Sequence, residues 1–187
     1  MREDLERVID VVKALTGSAD CTPGPVSREG LERLQEKYVN VPDDVIDFYR
    51  VTNGAQLSDP WWEFEPVHRV LANAATLDAM IATDFAGSQE WWSLAWIPVG
   101  SDVSGNALCV DTAASGGVRG QVMIFMHDEA ARRIVAPSLG AYIKCLAIAT
   151  ETGLIRYTPE DGFWLEGNQM RWDAFLSSQL QGYPRQV

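Results

Sequence analysis

Only two histidines, His68 and His127, are available for acid–base or metal chemistry in this 187-residue chain. His127 is followed by Asp128 and Glu129, three side chains of metal-ligating type at the end of an apolar run. A solvated turn explains the same three residues without a ligand, and no metal site is expected there. Ser101 and Asp102, followed by Gly105 and Asn106, have the small-residue character of a phosphate cradle. A phosphate cradle needs a helix N-terminus behind it, and none follows, whereas a hairpin turn accounts for every residue. The carboxylate pairs Asp43/Asp44 and Glu63/Glu65 have no pocket assigned to them by the sequence, so acid–base roles do not follow. Cys21, Cys109 and Cys145 are scattered, odd in number and in no Cys-x-x-Cys pair, which argues against zinc and a disulfide framework. Cys109 and Cys145 sit among apolar residues and read as small buried hydrophobes. No zincin, nucleophile-elbow, phosphate-loop or EF-hand pattern is present. The expectation is a protein without catalytic residues and without a cofactor.

What remains is surface. The net charge is −11, and it is unevenly placed. Residues 55–100 carry Asp59, Glu63, Glu65, Asp78, Asp84 and Glu90 against Arg69 alone. Five of the seven tryptophans fall in the same segment. Acidity of this kind disfavours nucleic acid and anionic membrane surfaces and favours a basic partner. Trp61-Trp62 and Trp91-Trp92 are adjacent pairs, and neighbours on a strand point to opposite faces. One ring of each pair is then free to face outward, where tryptophan is a strong anchor and attracts cations. The candidate partner-binding residues are Trp61, Glu63, Glu65, Trp91, Trp92 and Asp102. The competing reading has all four rings in the core and the charge serving solubility only.

The elements that must position these residues follow from periodicity. Leu5, Val8, Ile9, Val12 and Leu15 repeat at helical spacing, and Gly17 ends that helix. A loop through Pro23-Gly24-Pro25 leads to Ser27, an N-cap candidate for a second helix through Leu31, Leu34 and Tyr38. Pro42 with Asp43 and Asp44 opens a third, which buries Val45, Ile46, Phe48 and Tyr49 and stops at Asn53-Gly54. Residues 57–67 read as an irregular strand, and 76–85 as a helix broken at Gly87-Ser88. Residues 96–99, 106–111 and 121–127 are three apolar strands joined by Gly100–Gly105 and by a longer loop at Ser115-Gly116-Gly117. The result is an antiparallel meander with one face on a core, and Ile134-Val135 as a fourth strand. Ser138 caps a helix through Tyr142 and Leu146. A hairpin over 155–165 and a last helix through Trp172 and Leu180 complete an α+β fold in one domain, 1–187.

Residues 96–100, then Asp102, Gly105, Asn106, Leu108 and Asp111, then Gly120-Gln121-Val122 and the strand ending at His127-Asp128, resemble the SUKH superfamily of Smi/Knr-type domains. The helix from Val41-Pro42 to Tyr49, with Asn53-Gly54, looks like that family's proline-led helix and its Asn-Gly end. Pro137-Ser138-Leu139 with Tyr142-Ile143 looks like its closing helix. The likeness covers roughly residues 31–149. It departs in Val41, where leucine is usual, and in the hairpin-and-helix extension over 153–187. The superfamily joins fungal cell-wall-synthesis regulators to bacterial toxin-immunity proteins. The resemblance therefore implies an immunity protein that binds and neutralises a cognate toxin; the acidic charge points to a basic toxin domain as the partner. A regulatory scaffold of the cell-wall type and a small-molecule enzyme using His68 or His127 stay open beside it.

No run of about 18 apolar residues spans a membrane, and the charged N-terminus carries no secretory signal, so a cytoplasmic protein is expected.

Overall fold

The computed structural model describes residues 1–17, 23–83, 91–102, 104–113 and 117–186. Cys21, Asp84, the Gly87-Ser88 break, Glu90 and the Ser115-Gly116 portion of the long loop lie outside the described residues. The elements run α1 (Arg2–Thr16), α2 (Arg28–Lys37), α3 (Asp43–Val51), β1 (Glu63–Phe64), α4 (Val67–Thr83), β2 (Trp96–Ser101) and β3 (Ala107–Asp111). They continue with β4 (Val122–Phe125), β5 (Arg133–Ala136), α5 (Leu139–Glu151), β6 (Ile155–Thr158), β7 (Gly162–Leu165), α6 (Gln169–Gln179) and β8 (Arg185–Gln186). The strands form a six-stranded sheet in the order β1-β2-β3-β4-β5-β8 and a separate β6-β7 hairpin. Every pairing is antiparallel. The expected neighbours pair as β3 and β4, with Leu108 opposite Ile124 and Cys109 opposite Met123. This is the α+β architecture expected.

The helix ends form where the sequence supplies partners. Ser27 Oγ accepts from Gly30 N–H at 3.1 Å, Ser138 Oγ from Ala141 N–H at 3.1 Å, and Asn168 Oδ1 from Arg171 N–H at 3.2 Å. Asp44 Oδ2 accepts from Gly140 N–H at 2.8 Å, tying the start of α5 to α3. Asn53 does more than end α3: its Oδ1 accepts from Val67 N–H at 3.0 Å, at the first residue of α4. Gly54 beside it has φ +85°, and a Cβ there would stand 2.6 Å from Pro66 N. Only glycine permits that approach of the α3 end to the α4 start.

Three expectations are corrected. Helix α4 begins at Val67 rather than near Thr76. Val67, Val70, Leu71 and Ala74 carry the same helical spacing as the later residues, and the aromatic, proline-rich stretch before them masked it. Second, the sheet has a core on both faces. Ile97, Leu108, Val110 and Val122 join one apolar cluster, while Trp96, Cys109, Met123, Phe125 and Ile134 join another. All five residues of β3 are buried, which is why Ala107–Val110 reads as a continuous apolar run without alternation. Third, Leu15 is exposed although it continues the apolar stripe of α1. The C-terminal segment adds β8 to the sheet edge, and Phe163, Trp172 and Leu176 share the first cluster with Leu5 of α1.

Strand β2 carries a bulge. Its register with β3 shifts between Pro98 and Gly100, leaving Val99 as the additional residue. Proline has no N–H for the ladder, so a bulge is a natural place for it. Val99 O then accepts from Glu65 N–H at 2.9 Å, which locks the chain just beyond the edge strand β1.

Candidate binding cleft

The chain before β1 is shaped by Asp59. Its Oδ1 accepts from the backbone N–H of Trp61 at 3.0 Å and of Trp62 at 3.2 Å, an aspartate-initiated turn ahead of Pro60. Its Oδ2 accepts from the Tyr142 hydroxyl of α5 at 2.7 Å. The turn sends the Trp62 ring into the core and leaves Trp61 half-buried against Trp172 of α6, ring centroids 5.6 Å apart. One ring of the pair does stay near the surface, through a turn rather than through strand alternation.

Between this corner, strands β4 and β5, and α6 lies a cleft of about 480 Å³. Trp61, Trp62, Trp172 and Ile124 line it with apolar surface, and Asp102 and Glu129 line it with charge. Asp102 also lines two neighbouring grooves, one with Glu63 and Asp59 and one along α4. Asp102 is held in place by its own hairpin: Oδ1 accepts from Ser104 and Asn106 N–H at 2.8 and 2.9 Å, and Oδ2 from Asn106 Nδ2 at 2.8 Å. Arg133 is paired with Asp173, leaving Arg69 as the other arginine at these cavities.

The expected site residues therefore divide. Trp61, Glu63, Glu65 and Asp102 gather around β1 and the β2–β3 turn, with Glu63 exposed and Asp102 half-buried. Glu65 is 4% exposed and does not present its charge to bulk solvent, because its carboxylate turns in toward Ser101. Trp91 and Trp92 belong elsewhere. Trp92 is 0% exposed, edge-on to Trp96 and Phe125 in the second cluster, and its Nε1 donates to Asp78 Oδ1 at 2.9 Å. The expectation that Trp92 serves a docking surface is corrected: it fills core beneath α4.

Trp91 is half-buried beside a residue that sequence reasoning missed. Arg132 is 4% exposed, and its guanidinium lies over the rings of Phe125, Trp91 and Trp96 at 4.9, 5.6 and 5.7 Å. It donates to the backbone carbonyls of Glu129, Ala131 and Trp91. Burial lowers its pKa from the ordinary arginine value. No sequence signal distinguishes Arg132 from Arg133 beside it. Asp59 and Trp172 were also missed, although an aspartate before proline is a turn signal.

His68 is exposed on α4, and His127 is exposed with its Nδ1 2.9 Å from Asn106 Oδ1. The Cys109 and Cys145 thiols are both buried; burial pushes Cys109 well up and Cys145 up to about 12. Among the described residues no three His, Cys, Asp or Glu side chains converge in a metal-like group.

Burial, opposed by the bonds from Trp61, Tyr142 and Trp62, raises the Asp59 carboxyl from 3.8 to about 6. The folded state thus binds this proton more tightly than the unfolded chain. Its contribution is most favourable below about pH 4 and is lost as pH rises through 6. A two-unit shift corresponds to about 3 kcal/mol. Asp59→Asn should therefore gain stability over the parent by up to about that amount between pH 4 and pH 7, read as the change in the difference of their urea midpoints. A difference independent of pH would contradict the assignment.

Fold and cleft together define an α+β domain with a concave acidic and aromatic surface at one end of its main sheet. The SMI1 / KNR4 family (SUKH-1) model matches residues 25–145, and the chain belongs to this family. That membership places it among proteins of the immunity and regulator kind, a family whose members are generally non-catalytic. Comparison with curated proteins gives no match. Among the described residues no helix is long and apolar enough to cross a membrane.

Proposed function

We propose that the protein is a cytoplasmic immunity protein that binds and neutralises a cognate toxin by docking a basic face of it on the cleft around Trp61. The observation that carries this reading is the composition of one place. Trp61, Trp62 and Trp172 supply apolar area, while the exposed Glu63 and Glu129 and the half-buried Asp102 outnumber Arg69 and the paired Arg133. A desolvated tryptophan inside a charged rim is the usual anatomy of a protein-binding hot spot. The acidic rim speeds encounter with a basic partner and selects against acidic ones.

The test is capture of a basic toxin domain by the purified protein, compared across variants. Trp61→Ala should weaken capture by about 2 kcal/mol or more. Glu63→Lys should mainly slow association, and less so in high salt. His68→Gln and His127→Gln should leave affinity unchanged. Unaltered capture by Trp61→Ala and Glu63→Lys would move the interface off this cleft. Loss of protection with His127→Gln in a folded protein would favour the enzyme alternative.

A further inference from the structure

The groove along α4 is distinct in chemistry from the tryptophan cleft. It measures about 680 Å³ and runs between α4 and the β2–β3 hairpin. Leu77, Met80, Pro98 and Phe125 line it with apolar surface, and Glu65 and Asp102 lie at its border with the neighbouring acidic groove. Glu65 is fixed from three sides. Its N–H is held by Val99 O, its carbonyl accepts from the Tyr49 hydroxyl at 3.0 Å, and its Oε1 accepts from Ser101 Oγ. The remaining oxygen, Oε2, is buried and accepts no hydrogen bond among the described residues. Its nearest cation, Arg69, stands 3.8 Å away on a side chain that is 62% exposed.

A buried carboxylate oxygen without a donor is unfavourable, and a charged donor entering the groove would relieve it. The apolar lining asks for the rest of that ligand to be an alkyl chain. A side chain that lays a three- or four-carbon stem on apolar surface and ends in a cation meets both demands. We infer that this groove is a socket for a lysine or arginine side chain of the protein partner, with the cationic end on Glu65 Oε2 and the stem along Leu77, Met80 and Phe125. Arg69, on the exposed rim, swings aside as the incoming cation enters. The inference rests on the proposed partner-binding role and specifies one contact of it.

The socket is testable without the partner. Isotope-labelled protein titrated with Nα-acetyl-arginine methylamide should show saturable amide shifts confined to residues 65–80, 98–107 and 125–127. The neutral citrulline analogue should bind roughly tenfold more weakly or worse, the difference that a charge-assisted hydrogen bond makes. Glu65→Gln, nearly isosteric and able to keep the Ser101 contact, should reduce arginine binding to the citrulline level, and its own spectrum reports whether it folds. Equal binding of arginine and citrulline analogues to the parent protein, or shifts outside the groove, would overturn the socket. So would undiminished arginine binding by folded Glu65→Gln. A negative probe result with capture still sensitive to Trp61→Ala removes the socket and leaves the docking reading standing; a positive probe result with capture insensitive to Trp61→Ala moves the interface off the tryptophan cleft and leaves the socket standing.

Discussion

Trp92→Ala is expected to lower stability by about 3–5 kcal/mol, the range for removing a large aromatic from a packed interior. The ring is fully enclosed, edge-on to both Trp96 and Phe125, and its Nε1–H is used by Asp78. Asp78 is also the partner of Lys37, so the ring links α4 to the α2 end through one carboxylate. For a chain of this length each kcal/mol moves the melting temperature by about 2–4 °C, so a drop of roughly 10 °C is the reading to look for. Trp92→Phe keeps most of the volume and should cost much less, leaving mainly the lost hydrogen bond. Trp61→Ala, at a half-buried ring tilted against Trp172, should cost much less stability than Trp92→Ala while costing more in partner affinity. Equal melting temperatures for Trp92→Ala and the parent would refute the placement of this ring in the core.

Arg132→Ala is the second large effect. Among the described residues this buried guanidinium has no carboxylate in ion-pair range; three carbonyls and three aromatic faces hold it instead. Desolvated cation–π contacts contribute about 2 kcal/mol and hydrogen bonds from a charged donor about 1.5–3 each, set against the cost of burying the charge. The net expectation for Arg132→Ala is a loss of about 3 kcal/mol, measured by urea unfolding. Arg132→Met separates the two contributions. It restores volume among the rings but supplies no donor to the Trp91 and Glu129 carbonyls, so it should recover less than half of the loss. Recovery to parental stability by methionine would mean that packing, not the cation, anchors residues 91–96 to the β4–β5 connection.

Most of the element order was legible in the chain itself, from signals that act over short range. The Ser27 and Ser138 caps are of this kind, because each is satisfied within three residues. The β3–β4 pairing was legible because a Gly-rich connection leaves consecutive strands little choice but adjacency. The family resemblance was legible for the same reason, its motifs lying on those turns and helix starts. The start of α4 was written in the spacing of Val67, Val70 and Ala74 but hidden beside prolines and tryptophans.

Which aromatic and acidic residues meet solvent was settled mainly by long-range packing. Trp61 and Trp92 have the same composition around them, yet Asp59 and Tyr142 turn one toward the cleft while the second face of the sheet encloses the other. Glu63 and Glu65 stand two apart and both look like surface charge, but the Val99 bulge and Ser101 draw only Glu65 inward. Arg132 and Arg133 are neighbours, one held by three aromatic rings and the other by Asp173. Burial of a charged or aromatic side chain depends on groups that arrive from distant parts of the chain, and no local spacing encodes which of them will come.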